Sequence, residues 1–535
     1  MKIKKNIFGK LVAGMLIVGM TSCDFLDTTP SNFVDPETFY KNQEDCEMAL
    51  AGIYWTLVSR EVYGETYSCK LSNTDDLSFF ARANQGDNVA TNSHKTSNKE
   101  IWDVWVRLYS GINDANVFLE NVDKANISDE KIKNRLKGEA KFLRAYYHFI
   151  LTQCYYEVPV RKESVKDITS SMIGATSHTE ALDWIIQEMD ECVDMVDDEL
   201  YDESPSYVKK TTVQGILARV CLWRAAFLND GEDAKKFYTM ARDYAKAVKD
   251  SGKHKLIATD QNPDNIYLMW QNMARDKYDT DYNESMWEAE FVGNNLDGRH
   301  TEGWIGSSIG NLQKCYKPDG SGYSYAKYVG SLVLWNLYNE EDTDLRRDLA
   351  LAPYTIDGND QKKDQPTTKG IRYCGKYRRE WEELTPKHKN NTPCNYPILR
   401  YADVLLMLAE AENEINNGPT ALAYEAINAV RKRAQVSEFD EMDYHTFKAN
   451  LQDERARELC FESLRKFDLI RWGIYYESIT ETLGNLINDK QWVGGTLQIA
   501  PQQFVDNTRE NHIFLPIPVR ELAVNSLMKQ NKYWE

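Results

Sequence analysis

The chain has 535 residues, enough for a large hydrophobic core, so it is neither a disulfide-stapled miniprotein nor a wholly disordered tail. Aromatic residues make up 12% of it, with 31 Tyr and 13 Trp, which is a surplus for an ordinary globular protein. The formal net charge is −18 and no long basic run occurs, which argues against nucleic acid as a partner.

The first 22 residues have the order of a secretory signal peptide. Four lysines without an acid precede an apolar stretch at 11–20 that is too short to span a bilayer. Small residues directly before Cys23 look like a bacterial lipobox, so we expect removal of residues 1–22 and lipidation of Cys23. Ordinary cleavage near Ser22 with an unmodified cysteine is the alternative. Residues 23–35 would then be a leader between the lipid and the folded body, which predicts an envelope protein.

Apolar residues at three- and four-residue spacing predict helices on both sides of a different middle region. One helix should begin near Pro36, and others are predicted at about 98–122, 129–156, 178–198, 208–229 and 232–250. Residues 251–397 are rich in Gly, Asn, Asp and aromatics, with a strand-like piece at 286–291. Helical hairpins follow at 401–434 and about 445–480, and the first has the 34-residue length of a tetratricopeptide repeat.

These patterns predict a mainly α fold, in which a scaffold of helical hairpins carries a loop-rich, aromatic-rich middle with short strands. We expect one body over residues 36–535. It would consist of an N-terminal helical part (36–250), a loop-rich ligand-side region (251–397) and a C-terminal helical part (398–535).

The ten cysteines include no CxxC pair, which argues against a zinc ribbon or a thioredoxin-like redox motif. Four of them lie in helical apolar patterns and are expected to pack as small hydrophobes: Cys154, Cys192, Cys221 and Cys460. Three lie in the loop-rich middle, where one disulfide could form between an undetermined pair: Cys315, Cys374 and Cys394.

Several separated segments resemble the SusD/RagB family of surface lipoproteins. The matching segments, in family order, are residues 22–27, 144–149, 158–160, 399–411, 426–431, 454–462, 468–472 and 515–518. The resemblance covers nearly the whole mature chain except about 293–395.

That resemblance implies a mostly helical fold with four tetratricopeptide-like helix pairs, tethered by lipid to the outer face of the outer membrane. Family members cover a SusC-like TonB-dependent transporter and capture nutrients for import, most often oligosaccharides. The alternative within the family is a peptide or another non-sugar nutrient.

Arginines and acids at helical spacings predict interhelical ion pairs, rather than catalytic acids and bases. The arginines are Arg144, Arg400, Arg455, Arg465 and Arg471, and the acids are Asp403, Glu410, Glu454, Glu458, Glu462 and Asp468.

A sugar site requires exposed aromatic platforms beside hydrogen-bonding side chains, and loops on a rigid scaffold are the expected place for it. Stretches near 73–102, 293–329 and 373–381 have that composition. The candidate ligand residues are Asp76, Phe80, Arg82, Trp102, Asn294, Trp304, Tyr316, Tyr323, Tyr325, Tyr377 and Arg378. The alternative for each aromatic is that it only packs its own loop.

No enzymatic motif has its required context. Gly306 to Gly310 fits GxSxG, but no buried strand precedes it within an alternating α/β chain, and no HExxH, Walker A or dinucleotide-binding pattern occurs. We therefore expect no catalytic residue, no cofactor and no metal. A Ca²⁺ site at the acidic stretch 340–344 is conceivable, but a solvated acidic turn is the simpler interpretation. A surface glycan-degrading enzyme is the alternative outside the binding class.

Overall fold

A computed structural model describes residues 39–83, 86–197, 204–339, 344–365, 372–487 and 496–535. The predicted signal peptide, the proposed lipidation site Cys23, the leader, Pro36 and the acidic residues 340–342 lie outside these ranges. Within them, no helix is both long enough and apolar enough to cross a bilayer.

The helices predicted at about 98–122, 129–156, 178–198, 208–229 and 232–250 are confirmed, whereas the start predicted near Pro36 lies outside the described residues and the first long helix begins at Gln43. The helices are α1 Gln43–Val58, α2 Lys99–Asn121, α3 Glu130–Tyr155, α4 Ile168–Ser171, α5 His178–Cys192, α6 Lys210–Ala226 and α7 Ala234–Asp250. The Asn98 side chain accepts hydrogen bonds from the first amides of α2, and Asp129 does the same for α3. Two π-helical turns, Arg60–Gly64 and Thr66–Leu71, follow α1.

The middle of the chain combines short helices with short strands. The helices are α8 Leu268–Ala274, α9 Ile305–Ser308, α10 Leu332–Asn339 and α11 Arg346–Ala350. The strands are β1 Ser78–Phe80, β2 Ser285–Ala289, β3 Gln313–Lys314, β4 Tyr323–Ser324, β5 Tyr328–Gly330, β6 Tyr354–Ile356, β7 Lys362–Asp364 and β8 Tyr396–Arg400. Strand β1 pairs antiparallel with β5 and β2 with β8, while a four-stranded sheet has the order β4-β3-β6-β7. The predicted strand near 286–291 is therefore confirmed as β2.

Both predicted C-terminal hairpins are confirmed. The helices are α12 Tyr401–Asn416, α13 Ala421–Arg433, α14 Tyr444–Leu459, α15 Arg465–Arg471, α16 Tyr475–Glu477, α17 Gly484–Ile487, α18 Thr496–Asn507 and α19 Val519–Val524. Asn417, in the left-handed conformation with φ of 50°, ends α12.

The long helices pack in series. Helix α1 contacts α2, which contacts α3, and the succession continues through α5, α6 and α7 to α12, which also contacts α13 and α14. Close approach in this stack depends on small residues: a Cβ atom on Gly111 of α2 would lie 2.4 Å from Oγ1 of Thr56 and 2.9 Å from the Tyr147 ring. The result is the expected mainly α, helical-hairpin scaffold.

The core contains the cysteines and several tryptophans. All nine cysteines after Cys23 are buried and free, so the disulfide considered for the middle region is absent from the described residues. Trp105, Trp223 and Trp287 are at most 2% exposed. The predicted role of the helical cysteines as packed hydrophobes is thus confirmed.

A buried ion-pair network joins the loop-rich middle to the C-terminal helices. The Glu458 carboxylate on α14 accepts from Arg346 at 3.2 Å and from Arg400 at 3.1 Å, and it also pairs with Arg433 at 2.5 Å. Neighbouring acids complete the network with the same and further cations, in the pairs Arg346–Asp344, Arg346–Glu454, Arg431–Glu454, Arg400–Glu462, Lys376–Glu462 and Arg433–Glu284. Six acids at helical spacing were predicted to pair, and this network confirms three of them: Glu454, Glu458 and Glu462.

A second network joins the helices among themselves. Arg455 bridges Asp403 on α12 and Asp468 on α15, at 2.9 and 2.8 Å. Arg471 pairs with Glu410 and with Asp468. The predicted structural role of these residues is confirmed.

Replacing Glu458 by Gln should destabilise the protein strongly, because three buried guanidinium groups would lose their shared carboxylate. We expect a loss of ~3–5 kcal/mol in the free energy of unfolding, measured by urea denaturation. Asp250→Asn, which removes only the exposed pair with Lys246, is the control and should cost less than ~1 kcal/mol. Equal costs for the two variants would contradict the structural role of the network.

Candidate ligand-binding face

The short helix α9 is the platform on which the loop-rich middle is organised. The amide of Tyr325 donates to the Ser307 carbonyl at 2.7 Å, and the amide of Lys327 donates to the Ser308 carbonyl at 2.8 Å. These bonds dock the chain after β4 against α9. Because side chains two residues apart leave an extended chain on the same side, Tyr323 and Tyr325 share one side of it.

Three tyrosine rings lie in contact here, at least in part in solvent, and the ring of Trp304 lies near them. The ring centroids of Tyr316 and Tyr323 are 4.6 Å apart, and those of Tyr323 and Tyr325 are 4.9 Å apart at an interplanar angle of 83°. Tyr316 is 64% exposed, and Trp304, directly before α9, is half-buried. We call the rings of Trp304, Tyr316, Tyr323 and Tyr325 the aromatic face.

Cationic side chains surround the aromatic face. The Lys389 ammonium lies 5.4, 5.1 and 5.6 Å from the ring centroids of Tyr316, Tyr323 and Tyr325. The Arg82 guanidinium is 5.6 Å from the Tyr325 ring. Distances of this size favour cation–π attraction.

Two further cations lie beside Trp304, and one of them also lies near Tyr325. The Lys327 ammonium is 5.7 Å from the Tyr325 ring and 5.9 Å from the Trp304 ring. The Arg60 guanidinium stacks 3.9 Å from the Trp304 ring. Lys327 therefore lies between the two halves of the aromatic face.

The Lys389 loop is held by a buried arginine. Arg379, 1% exposed, pairs with Glu382 and donates to the carbonyl oxygens of His388 at 2.8 Å and Lys389 at 3.1 Å. The Tyr325 hydroxyl donates to the Asn390 side-chain oxygen at 3.0 Å. Residues 388–390 are thus fixed beside the rings by charge-assisted hydrogen bonds.

Beneath the aromatic face, the buried Glu65 carboxylate anchors two of the cations. It pairs with Arg60 at 2.7 Å and Lys327 at 2.5 Å, and it accepts from the Ser308 hydroxyl at 2.6 Å. Burial alone would raise the pKa of Glu65, but the positive charges of Lys327 and Lys70 outweigh burial and lower that pKa to about 2. Glu65 therefore stays ionised and orients Arg60 and Lys327 at neutral pH.

The arrangement provides apolar ring surfaces for stacking and charged or amide groups for hydrogen bonds at the edges. Among the described residues, no group of three or more His, Cys, Asp or Glu is placed to hold a metal ion. Asp344, which was considered for Ca²⁺, instead binds Arg346 through both carboxylate oxygens, at 2.9 and 2.8 Å.

Five of the predicted ligand residues meet at this place: Arg82, Trp304, Tyr316, Tyr323 and Tyr325. They come from a loop after β1 and from the segment between 304 and 325, which are more than 200 positions apart. Their role in binding remains a prediction, but the structure brings them together.

Five others are buried, which removes them from the exposed face. Asp76 is 2% exposed and bidentate to Arg465, with both distances 2.8 Å. Phe80 is 6% exposed and packs edge-on against Tyr328. We expected this polar stretch to lie at the surface. Because β1 pairs with β5, the stretch instead lies in the core.

The remaining three of these buried residues have structural contacts. The Asn294 amide donates to the Pro386 carbonyl at 2.7 Å, which ties down the loop before Lys389. Tyr377 is 1% exposed, and its hydroxyl donates to the Phe461 carbonyl at 3.1 Å. Arg378 is 5% exposed and donates to the Tyr354 hydroxyl at 3.2 Å.

Trp102, the last predicted ligand residue, lines a separate surface groove of about 340 Å³. The Arg520 guanidinium lies 5.7 Å from its ring. The groove and its rim expose apolar side chains, with Ile168 82% and Val524 71% exposed. The surface there is mainly apolar, with Arg161 and Glu521 also in its lining.

Sequence reasoning missed the residues that complete the face: Arg60, Glu65, Lys327, Lys389 and Asn390. The polar run Lys387 to Asn391, in a Pro-flanked loop, was a signal that could have identified part of this group. The GxSxG match is no nucleophile elbow, because its serine, Ser308, is the last residue of α9, is fully buried and donates its hydroxyl to the Glu65 carboxylate at 2.6 Å.

Replacing Glu65 by Gln should cost stability in a pH-dependent way. Folding lowers the pKa of Glu65 from 4.5 to about 2. The contribution of the ionised carboxylate to the free energy of unfolding is therefore complete above pH 4.5 and is lost as the pH falls from 4.5 to 2. We expect a cost of ~3 kcal/mol at pH 7 that shrinks over that window, measured by urea denaturation at several pH values. Asp194→Asn, at a 91% exposed carboxylate, is the control. A cost for Glu65→Gln that does not change between pH 5 and pH 2.5 would contradict this.

Comparison with known protein families covers nearly the whole chain. The model of the SusD family matches residues 226–534, and a family described as "Starch-binding associating with outer membrane" matches residues 24–222. The chain is 24% identical to SusD-like protein P25 of Formosa agariphila, over 97% of each chain. It is 23% identical to the starch-binding protein SusD of Bacteroides thetaiotaomicron, over 99% of this chain and 98% of that one.

Solved structures share the fold. A SusD homologue from Bacteroides thetaiotaomicron superposes with a TM-score of 0.79 at 24% identity, covering 93% of this chain and 98% of that one. A laminarin-binding SusD-like protein superposes with a TM-score of 0.69 at 20% identity, covering 92% and 100%. The family match over more than half of the sequence, together with this fold, shows that the chain belongs to the SusD family.

Proposed function

We propose that this protein is a cell-surface lipoprotein that captures an oligosaccharide on its aromatic face and passes it to a SusC-like TonB-dependent outer-membrane transporter. The observation that carries the proposal is the aromatic face itself: four exposed or half-buried rings within a frame of fixed hydrogen-bonding groups. Relatives described as starch-binding and laminarin-binding support a glycan as the ligand.

The chemistry of capture would be non-covalent. The C–H faces of a sugar ring stack on Tyr316, Tyr323 or Trp304, while hydroxyl groups meet the polar edges formed by Asn390 and the surrounding cations. The loop geometry is fixed in advance by Arg379 and Glu65, so little ordering entropy is lost on binding. An open surface of this kind suits reversible binding and release.

The buried acid beneath the face and two core acids with a raised pKa do not suit hydrolysis. A glycosidase needs a carboxylic acid that is protonated near neutral pH, but the Glu65 carboxyl has a pKa of about 2. Burial raises the pKa of Asp75 and Glu288 to about 7, yet these groups are 2% and 4% exposed and lie in the core. We therefore propose binding without turnover.

The membrane location and the partner belong to the same proposal. A lipid on Cys23 would hold the mature chain at the outer face of the outer membrane, and the family description that matches residues 24–222 supports that location. The apolar groove beside Trp102, with Ile168 and Val524 at its rim, is a suitable surface for contact with a transporter.

Replacing Tyr323 and Trp304 by Ala should weaken oligosaccharide binding by at least ~10-fold, because each ring supplies about 1 kcal/mol or more of stacking. The measurement is calorimetric titration of residues 24–535 with a panel of glycans and peptides, each mixture being checked afterwards for cleavage. Tyr476→Ala, at a 40% exposed tyrosine on α16, is the control and should bind normally. Unchanged affinity in the double variant would refute binding at this face. Saturable binding of peptides and of no glycan would show that the ligand is a peptide. Cleavage of a glycan would show that the protein is an enzyme.

Replacing Cys23 by Ala should remove lipid attachment and release the protein from the membrane. We expect fatty-acid labelling of the wild-type protein in cells and none of the variant, since the cysteine is the acylated group. Surface protease accessibility and co-purification of a TonB-dependent barrel with the wild-type protein test the location and the partner. Labelling that persists in the variant would contradict the lipobox interpretation.

A further inference from the structure

We propose that the aromatic face selects an anionic glycan, one whose sugars carry carboxylate or sulfate groups. This inference rests on the proposed function, since it specifies the ligand class of the same site. It follows from the charges around the rings, in a chain that is strongly acidic elsewhere.

Two cations at the rings have no counter-ion within the described parts of the chain. The Lys389 ammonium lies within 5.6 Å of three ring centroids, and the Arg82 guanidinium lies 5.6 Å from one of them. Both side chains are exposed, and neither pairs with a described carboxylate. Their positive charges are therefore available to a ligand that lies on the rings.

The other two cations are only partly neutralised. Arg60 and Lys327 share the single buried charge of Glu65. Glu302 accepts a hydrogen bond from the Arg60 amide at 2.9 Å, and it also lies 3.8 Å from His300. Four cations thus meet two carboxylates, which leaves a positive potential at the aromatic face.

Asp360, which contacts the loop that follows Tyr316, does not change this balance. Asp360 accepts from the hydroxyl and amide of Ser321, and those hydrogen bonds and the nearby Lys317 lower its pKa. Its charge is therefore directed at the loop that contains Lys317 and Ser321, and among the described residues it forms no ion pair with Lys389.

A neutral oligosaccharide would gain little from such groups. Its hydroxyls can be bound by amides such as Asn390, and stacking it over the rings would strip water from Lys389 and Arg82 without providing an opposite charge. A carboxylate or sulfate offers charge-assisted hydrogen bonds, and guanidinium can bind either one through two parallel bonds. The chain also carries a net charge of −18, so an anionic polymer would be repelled over most of the surface and attracted only where cations gather.

The test is calorimetric titration of residues 24–535 with neutral, uronate and sulfated oligosaccharides. The probes are starch, laminarin and galactan fragments, oligogalacturonate with its carboxyl-reduced form, and carrageenan fragments with their desulfated form. We expect an anionic probe to bind at least ~10-fold more tightly than its neutralised counterpart, with affinity that falls as the salt concentration increases from about 50 to about 500 mM. The uronate and sulfate pairs distinguish the two sources of charge.

Replacing Arg82 and Lys389 together by Ala should weaken binding of the anionic ligand by at least ~10-fold. The free energy of unfolding should not change, since both side chains are exposed. Lys529→Ala, at an exposed lysine elsewhere, is the matched control. If the best ligand is neutral and the double variant binds it normally while Tyr323→Ala does not, the anionic class is refuted and glycan capture stands. If no glycan of any class binds, or if Tyr323→Ala has no effect on binding, the proposed function fails as well.

Discussion

The buried network around Glu458 is the interaction on which the rest of the structure depends. Taking charges out of water is costly, and it is tolerated here because Arg346, Arg400 and Arg433 surround one carboxylate with good geometry. These partners lie on α11, at the end of β8 and at the end of α13, so the network fixes the loop-rich middle against the C-terminal helices. Removing one member would unbalance buried charges that are shared among several partners, so the network stabilises the core as a unit.

Buried ion pairs also hold the loops of the candidate site. Arg379 with Glu382 holds the Lys389 loop, and Glu65 holds Arg60 and Lys327 beneath Trp304. In each case a buried, paired charge positions an exposed group. The loops therefore present their aromatic and cationic side chains in a geometry that exists before ligand arrives, which lowers the entropic cost of binding.

Particular residues show where sequence reasoning succeeded and where it could not. Acids and arginines at helical spacing were predicted to pair across helices, and Arg455 with Asp403 and Asp468 does so. Asp76 has the same chemistry as a sugar-binding carboxylate, yet its partner is Arg465, 389 positions later. Neither residue's local sequence contains that information, because an isolated carboxylate in a polar stretch looks the same whether it meets water, a ligand or a distant guanidinium.

By itself, the sequence determined the helices, the family, and the presence of aromatic and hydrogen-bonding residues in the middle region. Periodic apolar spacing acts within a few residues, so it can be found along the chain. Only the tertiary structure decided that Tyr323 is partly exposed while Tyr377 is buried, and that Arg82 and Lys389 share one surface with Trp304. Exposure and charge balance depend on contacts between segments hundreds of residues apart, and no local pattern specifies them.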